Sequence, residues 1–362
     1  MPITILFSGG GSLGHIVPSL AVAGELRKRR SDCRIVFVCA NRGEEREFLA
    51  RAGEAFHSLH APRSPRGFSP MLLLFPFGFL CACIEAAGIL SREKPQLIFS
   101  KGGFVSVPVC LSGWLRNIPI VLHESDSVMS LSSRLIARFA ETVCTGFPDV
   151  PVSPSLRRKI HVTGNPVRPE IVRGSEDAAK RVTGFSGRRP VVMIIGGSQG
   201  SVALNQAVEA SLTQLIDVAD IIHLTGVGKG TGACHARYIA WPMAIDELPD
   251  FYTLSDIVVS RAGAGALSEL AALKKAVIIV PLAGVAHDHQ VHNASVVSRK
   301  NAGVLLKQED LGQLVATVKE LLADEPKRRA LGEKLSELFP SGADERIVDA
   351  LLATLPRTPL QF

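Results

Sequence analysis

Short apolar runs recur along the chain, each closed by glycines or polar residues and followed by a longer amphipathic stretch. Ile3–Phe7 is the first run, and GGGSLGH follows at 9–15. A helical pattern then reads from Pro18 through Arg30, with Glu25 and Arg29 paired at i,i+4. RIVFVC at 34–39 has no polar alternation, which predicts a strand of a parallel sheet covered on both faces. Pro95–Ser100 predicts a strand entering KGGFVSVP at 101–108, and Ile118–His123 one that ends in Glu124, Ser125 and Asp126. Val143 and Cys144 read as the last short strand of this half. Asp149–Lys159, rich in Pro, Ser and Arg, is the best linker candidate. The pattern then repeats. Pro190–Ile195 predicts a strand, GGSQG at 196–200 a loop, and Val202 onward a helix. Further strands fall at Ile221–Thr225, Val258–Ser260 and Val277–Val280, and helices at Asp310–Asp324, Pro326–Leu338 and Ala343–Leu355. This alternation predicts an α/β protein of two doubly wound halves facing a central cleft.

Met71–Ile84 (MLLLFPFGFLCACI) interrupts the alternation as the most apolar stretch, 14 residues broken by Pro76 and Gly78. A bilayer-spanning helix needs about 20 residues, a length that extending the stretch back to Gly67 approaches, so a span stays open. Two other readings stay open. One is a core helix. The other is a surface that dips into an anionic leaflet, with Arg63 and Arg66 beside it. The 362 residues suit two domains, and 46% hydrophobic content is ample for two cores. A net charge of +6 favours an anionic partner: a phosphorylated substrate, an acidic membrane or, last, nucleic acid, for which no recognition pattern is present. Seven scattered cysteines without a CxxC fit reduced thiols of a cytosolic protein, and MPITILFSGG does not read as a signal peptide.

The candidate chemistry sits in Gly-rich turns. Residues 256–270 read as strand, small-residue turn (Arg261–Gly265) and helix, an order that aims backbone N–H groups and a positive helix end at one spot suited to a phosphate. Glu269 follows early in that helix, where a carboxylate can accept hydrogen bonds from a diol such as ribose. Two similar turns point to a diphosphate-bearing ligand. A dinucleotide site wants an acidic residue after the second strand; Ala40 and Asn41 stand there, which counts against an NAD-dependent oxidoreductase. No D-x-D pair is present to hold a metal, so the diphosphate charge falls to the Ala262–Ala266 turn, Ser198 and Arg168. The bland reading of Arg168 is a surface cation. His15 ends the first Gly loop and is the candidate general base, with Asp126 as runner-up; the bland reading of His15 is a histidine that orients the loop. His287, Asp288, His289 and His292 match no familiar zinc spacing and read as a polar loop around Gln290.

With these stretches in order, the chain resembles the MurG family of bacterial N-acetylglucosaminyltransferases. The resemblance is carried by GGGSLGH (9–15), SKGGFVSVP (100–108), HESD (123–126), GNPVR (164–168), GGSQGS (196–201), SRAGAGALSEL (260–270) and HDHQVHNA (287–294). It implies a GT-B fold of two Rossmann-like domains: 1–162 for acceptor and membrane, 163–342 for UDP-N-acetylglucosamine, with a last helix at about 343–362 packing back on the first. It implies an inverting transfer, without a metal or other cofactor, from UDP-N-acetylglucosamine to undecaprenyl-diphosphate-linked N-acetylmuramyl-pentapeptide at the cytoplasmic face of the cell membrane. A glycolipid glycosyltransferase of the same fold and a non-catalytic UDP-sugar-binding scaffold are the competing readings. By resemblance, Glu269 meets the ribose, Ile245 the uracil, and Gln290 and Asp126 the sugar. Ser12, Leu13 and Gly14 line the junction of donor and acceptor. Arg168, Ser198, Ala264, Gly265, Ala266, Leu267 and Ser268 complete the donor contacts. Membrane contact is expected from Arg66, Met71, Leu72, Leu73, Leu74, Phe75, Phe77 and Phe79. The family's first loop usually reads GGTGGH; here Ser12 keeps the hydroxyl, and Leu13 puts a Cβ where a glycine stands, at a position expected to want positive φ.

Overall fold

A computed structural model describes residues 3–11, 13–62, 71–197, 199–230, 232–284 and 288–356. The chain divides into two compact units: one runs to Pro166 and takes the chain back from Gly342, and the other is Val167–Ser341. The joint thus lies beyond Asp149–Lys159. That stretch is no linker but part of the first unit, where it carries a short helix, Pro154–Arg157, and leads into a further strand.

The first unit holds a seven-stranded sheet: β1 (Ile3–Ser8), β2 (Cys33–Ala40), β3 (Phe56–Leu59), β4 (Leu97–Ser100), β5 (Ile120–Glu124), β6 (Thr142–Thr145) and β7 (Ile160–Val162). All pairings are parallel, in the order β3-β2-β1-β4-β5-β6-β7. The order reverses between β1 and β4, and a doubly wound sheet binds its ligand at such a switch point. The unbroken apolar runs noted in the sequence are these strands, buried on both faces; Ile5, Phe7, Phe37 and Phe99 are almost fully enclosed. Ile347, Val348 and Leu351 of the last helix, Ala343–Thr354, complete the same core.

The second unit repeats the plan with β8 (Val191–Ile195), β9 (Asp220–Leu224), β10 (Tyr238–Trp241), β11 (Ile257–Ser260), β12 (Ala276–Ile279) and β13 (Val304–Leu305). Its order is β10-β9-β8-β11-β12-β13, so the switch point lies between β8 and β11. The short strands β3, β7, β10 and β13 escape a reading by apolar runs. They lie at or beside the sheet edges, where burial on one side only removes the apolar signal.

Two helices differ from expectation. The first begins at Leu13, not Pro18, and runs to Arg29. Leu13 therefore opens a helix rather than occupying a positive-φ turn. Pro18, inside that helix, has no N–H to offer the carbonyl of Gly14 four residues back. The apolar stretch is one helix, Met71–Glu93, that passes through Pro76 and Gly78. Its 20-residue segment Leu74–Glu93 has a mean hydropathy of 1.8 and is long and apolar enough to cross a bilayer by length and composition. Only 22% of that segment is buried, so the core-helix reading fails for most of it. Ala82, Ala86, Ile89 and Leu90 face the protein, while Leu74, Phe77, Leu80 and Ile84 are exposed at 59–69%. Phe75 and Phe79 are half-buried and stack on each other with ring centroids 6.1 Å apart.

Candidate active site

In the first unit, three turns gather at the switch point. The first follows β1. Gly10 passes so close to β2 that a Cβ on it would lie 2.7 Å from the amide nitrogen of Ala40. Glu45, almost fully buried, locks this turn: its carboxylate accepts from the N–H of Gly11 at 2.6 Å and of Ala40 at 2.9 Å. Arg42 donates to the carbonyl of Gly11 at 2.9 Å. The second turn follows β4. Gly103, at φ +82°, allows it to approach the first, since a Cβ there would sit 2.6 Å from the carbonyl of Gly10 and 3.4 Å from the imidazole of His15. The third follows β5, where Glu124 accepts from the N–H of Asp126 at 3.1 Å and of Ser130 at 3.2 Å and so fixes the bend that presents Asp126.

Lys101 and His123 lie buried among these turns. The Lys101 ammonium sits 2.6 Å from His123 Nδ1 and donates to Ser125 Oγ at 2.6 Å. His123 Nε2 lies 2.9 Å from the carbonyl of Gly164, which can only accept, so the proton of His123 is on Nε2. Burial, and secondarily the Lys101 charge, pushes the His15 imidazole down to about 4, so it is neutral at physiological pH. Burial lowers Lys101 itself to about 8, against the pull of Glu124 and Asp126. The sequence brought His15 and Asp126 forward; it did not bring forward Glu45, Lys101 or the bracing role of Glu124. The signal available for Lys101 was its place at a strand's C-terminal end, directly before two glycines.

In the second unit, helix Ala264–Ala272 starts at the end of β11 with Gly263 as its N-cap. Its first intrahelical bond is from the N–H of Leu267 to the carbonyl of Gly263, so helical geometry leaves the amides of Ala264, Gly265 and Ala266 pointing off the N-terminus. Leu267 is in the core, and the Ser268 hydroxyl donates back to the carbonyl of Ala264 at 2.8 Å. Arg261 is a brace rather than an anion ligand. It donates to the carbonyls of Val280 and Pro281, to Gln308 and to Ser201, the N-cap of helix Val202–Ala210. It thereby ties the turn after β11 to the one after β8.

Glu269 and Arg168 come together, with Oε1 3.6 Å from Nη2. Burial raises the Glu269 carboxyl above its ordinary value, against the opposing charge of Arg168. Tyr252 reaches the other carboxylate oxygen at 3.5 Å, a long contact. Arg168 Nε is buried with no hydrogen-bond partner among the described residues. Gln290 Oε1 accepts from the N–H of Leu282 at 3.0 Å, which fixes its side-chain amide and leaves the NH₂ group to donate elsewhere. Asn293, fully buried, donates to the carbonyl of Ala262 and anchors helix His289–Arg299 to the turn. Ile245 is 47% exposed, an apolar surface available to a flat ring. Gly14 is exposed, in the first turn of its helix. Ser12, Ser198, Arg66 and His287 lie outside the described residues, as do the side chains of Leu13, Met71, Leu72 and Leu73. Among the described residues no group of three His, Cys, Asp or Glu is placed to hold a metal ion.

Two parallel-sheet units with Gly-rich turns at both switch points are the two halves of a GT-B glycosyltransferase. Residues 5–145 match the Glycosyltransferase family 28 N-terminal domain and 191–346 its C-terminal domain. A UDP-N-acetylglucosamine–N-acetylmuramyl-(pentapeptide) pyrophosphoryl-undecaprenol N-acetylglucosamine transferase of Clostridium perfringens is 34% identical over 88% of this chain and 89% of its own. One of the same name from Geobacillus thermodenitrificans is 35% identical over 85% and 86%. The crystal structure of Acinetobacter baumannii MurG superimposes with a TM-score of 0.75 at 22% identity, covering 97% of this chain and all of that one. The chain belongs to the MurG family.

Proposed function

We propose that this enzyme transfers N-acetylglucosamine from UDP-N-acetylglucosamine to undecaprenyl-diphosphate-linked N-acetylmuramyl-pentapeptide, converting lipid I to lipid II in peptidoglycan synthesis. The observation that carries the reading of the site is the donor half. Three uncommitted amides at one helix N-terminus and a carboxylate further along the same helix match a diphosphate joined to a ribose. Arg168 orients that carboxylate and adds positive charge beside the diphosphate. Ile245 offers its apolar face to the uracil, and the Gln290 NH₂ group donates to sugar hydroxyls. As UDP leaves with the electron pair of the anomeric C–O bond, the amides and Arg168 take up the charge that develops on it. The acceptor hydroxyl forms the new C–O bond from the opposite face, giving inversion, and its proton passes to His15. A neutral imidazole is the form that can accept it. A value near 4 makes a weak base in the free enzyme; the anionic acceptor diphosphate, once bound nearby, moves it toward neutrality.

The acceptor is a membrane lipid, and the first unit has a surface suited to one. The exposed apolar residues Leu74, Phe77, Leu80 and Ile84 continue into Trp114 and Leu115, at the end of a helix (Ser106–Trp114) packed beside theirs. Arg134, Arg138 and Lys159 line an open cavity of about 670 Å³ next to this helical layer, with no carboxylate in its lining. Exposed apolar side chains and a basic cavity on one unit fit peripheral attachment to an anionic leaflet at the cytoplasmic face. The test is one assay: purified protein, labelled UDP-N-acetylglucosamine and a lipid-diphosphate-muramyl-peptide analogue, read for a labelled disaccharide. UDP binding without product overturns the enzymatic reading. In the same assay His15→Ala should lower kcat about a hundredfold with UDP affinity unchanged; unchanged turnover removes His15 from the mechanism.

A further inference from the structure

We propose that Lys101 is a positioning residue of the acceptor half: its buried ammonium fixes the tautomer of His123 and the path of the Ser125–Asp126 bend, and stands across Gly9 from His15. The proposal rests on the reading of the first unit as the acceptor half and extends it to a residue that touches no reacting atom. Lys101 is 4% exposed, and a charge so enclosed persists only where acceptors surround it. Among the described residues it has two, His123 Nδ1 and Ser125 Oγ. His123 has to present a lone pair at Nδ1, because a protonated ring would set two donors head to head at 2.6 Å. Nε2 therefore carries the proton and donates to the carbonyl of Gly164, just before the joint after Pro166. Asn165 donates to the carbonyl of Ser125 at 3.1 Å, so the bend is fastened from two sides.

The same ammonium reaches His15 electrostatically. His15 and Lys101 flank Gly9: a Cβ on that glycine would lie 3.3 Å from the Cβ of His15 and 3.1 Å from that of Lys101. The other charged groups around His15 are arranged differently. Glu45 is bound to the amides of Gly11 and Ala40, and Arg42 donates to the carbonyl of Gly11. Glu124 is bound into its own bend, and Asp126 stands beyond it. Among the described residues Lys101 is the charge that depresses His15, with burial as the larger cause. The Lys101 charge adds to burial in keeping His15 unprotonated in the free enzyme, and the bound acceptor diphosphate opposes both.

The experiment replaces the charge and keeps the length: Lys101→Met, with Ser125→Ala as the partner variant that removes one hydrogen bond and leaves the ammonium. In Lys101→Met the His15 ring, followed by NMR through a pH titration of the free enzyme, should titrate higher than in the wild type. The loss of kcat at neutral pH, about tenfold, should come from the Ser125–Asp126 bend losing its anchor, with the UDP-N-acetylglucosamine KM unchanged. Ser125→Ala should leave the His15 titration where it is. An unmoved His15 titration in a folded Lys101→Met overturns the proposal, as does an equal shift in both variants. If Lys101→Met does not fold, raising pH through about 8 in the wild type removes the same charge, and a His123 ring whose nitrogen shifts do not respond there overturns it too. The titration reads Lys101 without turnover. A failure of His15 as the base appears only in His15→Ala, so the two readings fail separately.

Discussion

Replacing Glu269 by Ala tests the donor half most directly. The Glu269 side chain is 17% exposed, and among the described residues its close charge partner is Arg168, at 3.6 Å. A ribose diol would give the carboxylate two hydrogen bonds. Bonds to a charged acceptor contribute about 1.5–3 kcal/mol each, so the gross loss is about 3–6 kcal/mol. Two effects reduce it. Burial already disfavours the charged carboxylate, as its raised pKa shows, so part of each bond offsets desolvation. Arg168, released from Glu269, also attracts the diphosphate more strongly. A net loss of about 2–3 kcal/mol follows, which is roughly a 30- to 150-fold weaker affinity for UDP. Calorimetric titration with UDP and steady-state kinetics with each substrate varied in turn measure it. The donor KM should rise by about that factor and the acceptor KM by less than threefold. The double variant with Arg168→Ala should lose less than the sum of the two singles, because the residues interact directly. The sign with pH follows from the same burial. The carboxyl is raised, so donor affinity should fall on acidification at a pH above the ordinary value of 4.5. An unchanged donor KM, or equal rises in both, refutes the assignment of Glu269 to the ribose.

Two further outcomes separate the parts of the first unit. Leu74→Glu and Phe77→Glu, at positions 68% and 69% exposed, should leave the melting temperature unchanged and each weaken co-sedimentation with anionic vesicles about tenfold or more; equal sedimentation removes this helix from the membrane surface. Glu45→Ala should cost about 2–4 kcal/mol of stability by denaturant titration, since it strands the buried amide of Ala40 and frees the loop at Gly11.

The strands were legible because a parallel sheet covered on both faces writes an uninterrupted apolar run, and the glycines were legible because close approach and positive φ admit little else. Both kinds of signal are local. What escaped were roles created by distance in sequence. Glu45 lies 34 residues from the Gly11 amide it holds, and Asn293 lies 31 from the Ala262 carbonyl it anchors. Arg261 opens the small-residue turn that the sequence offers to a phosphate, and in the fold its guanidinium is consumed as a tie between two turns. The apolar stretch at Met71 was ambiguous for a similar reason. Its hydropathy says that water is avoided on most of the helix surface, but only the packing of Ala82, Ala86, Ile89 and Leu90 against the unit decides which face is left over. Local sequence therefore brings candidate groups at Gly-rich turns forward and leaves their supports unmarked. A carboxylate or cation beside a Gly-rich turn should be assigned to a ligand only once its demand from the backbone has been counted. By that count Glu269 retains capacity for a ligand, whereas Arg261 and Glu45 are already spent on the fold.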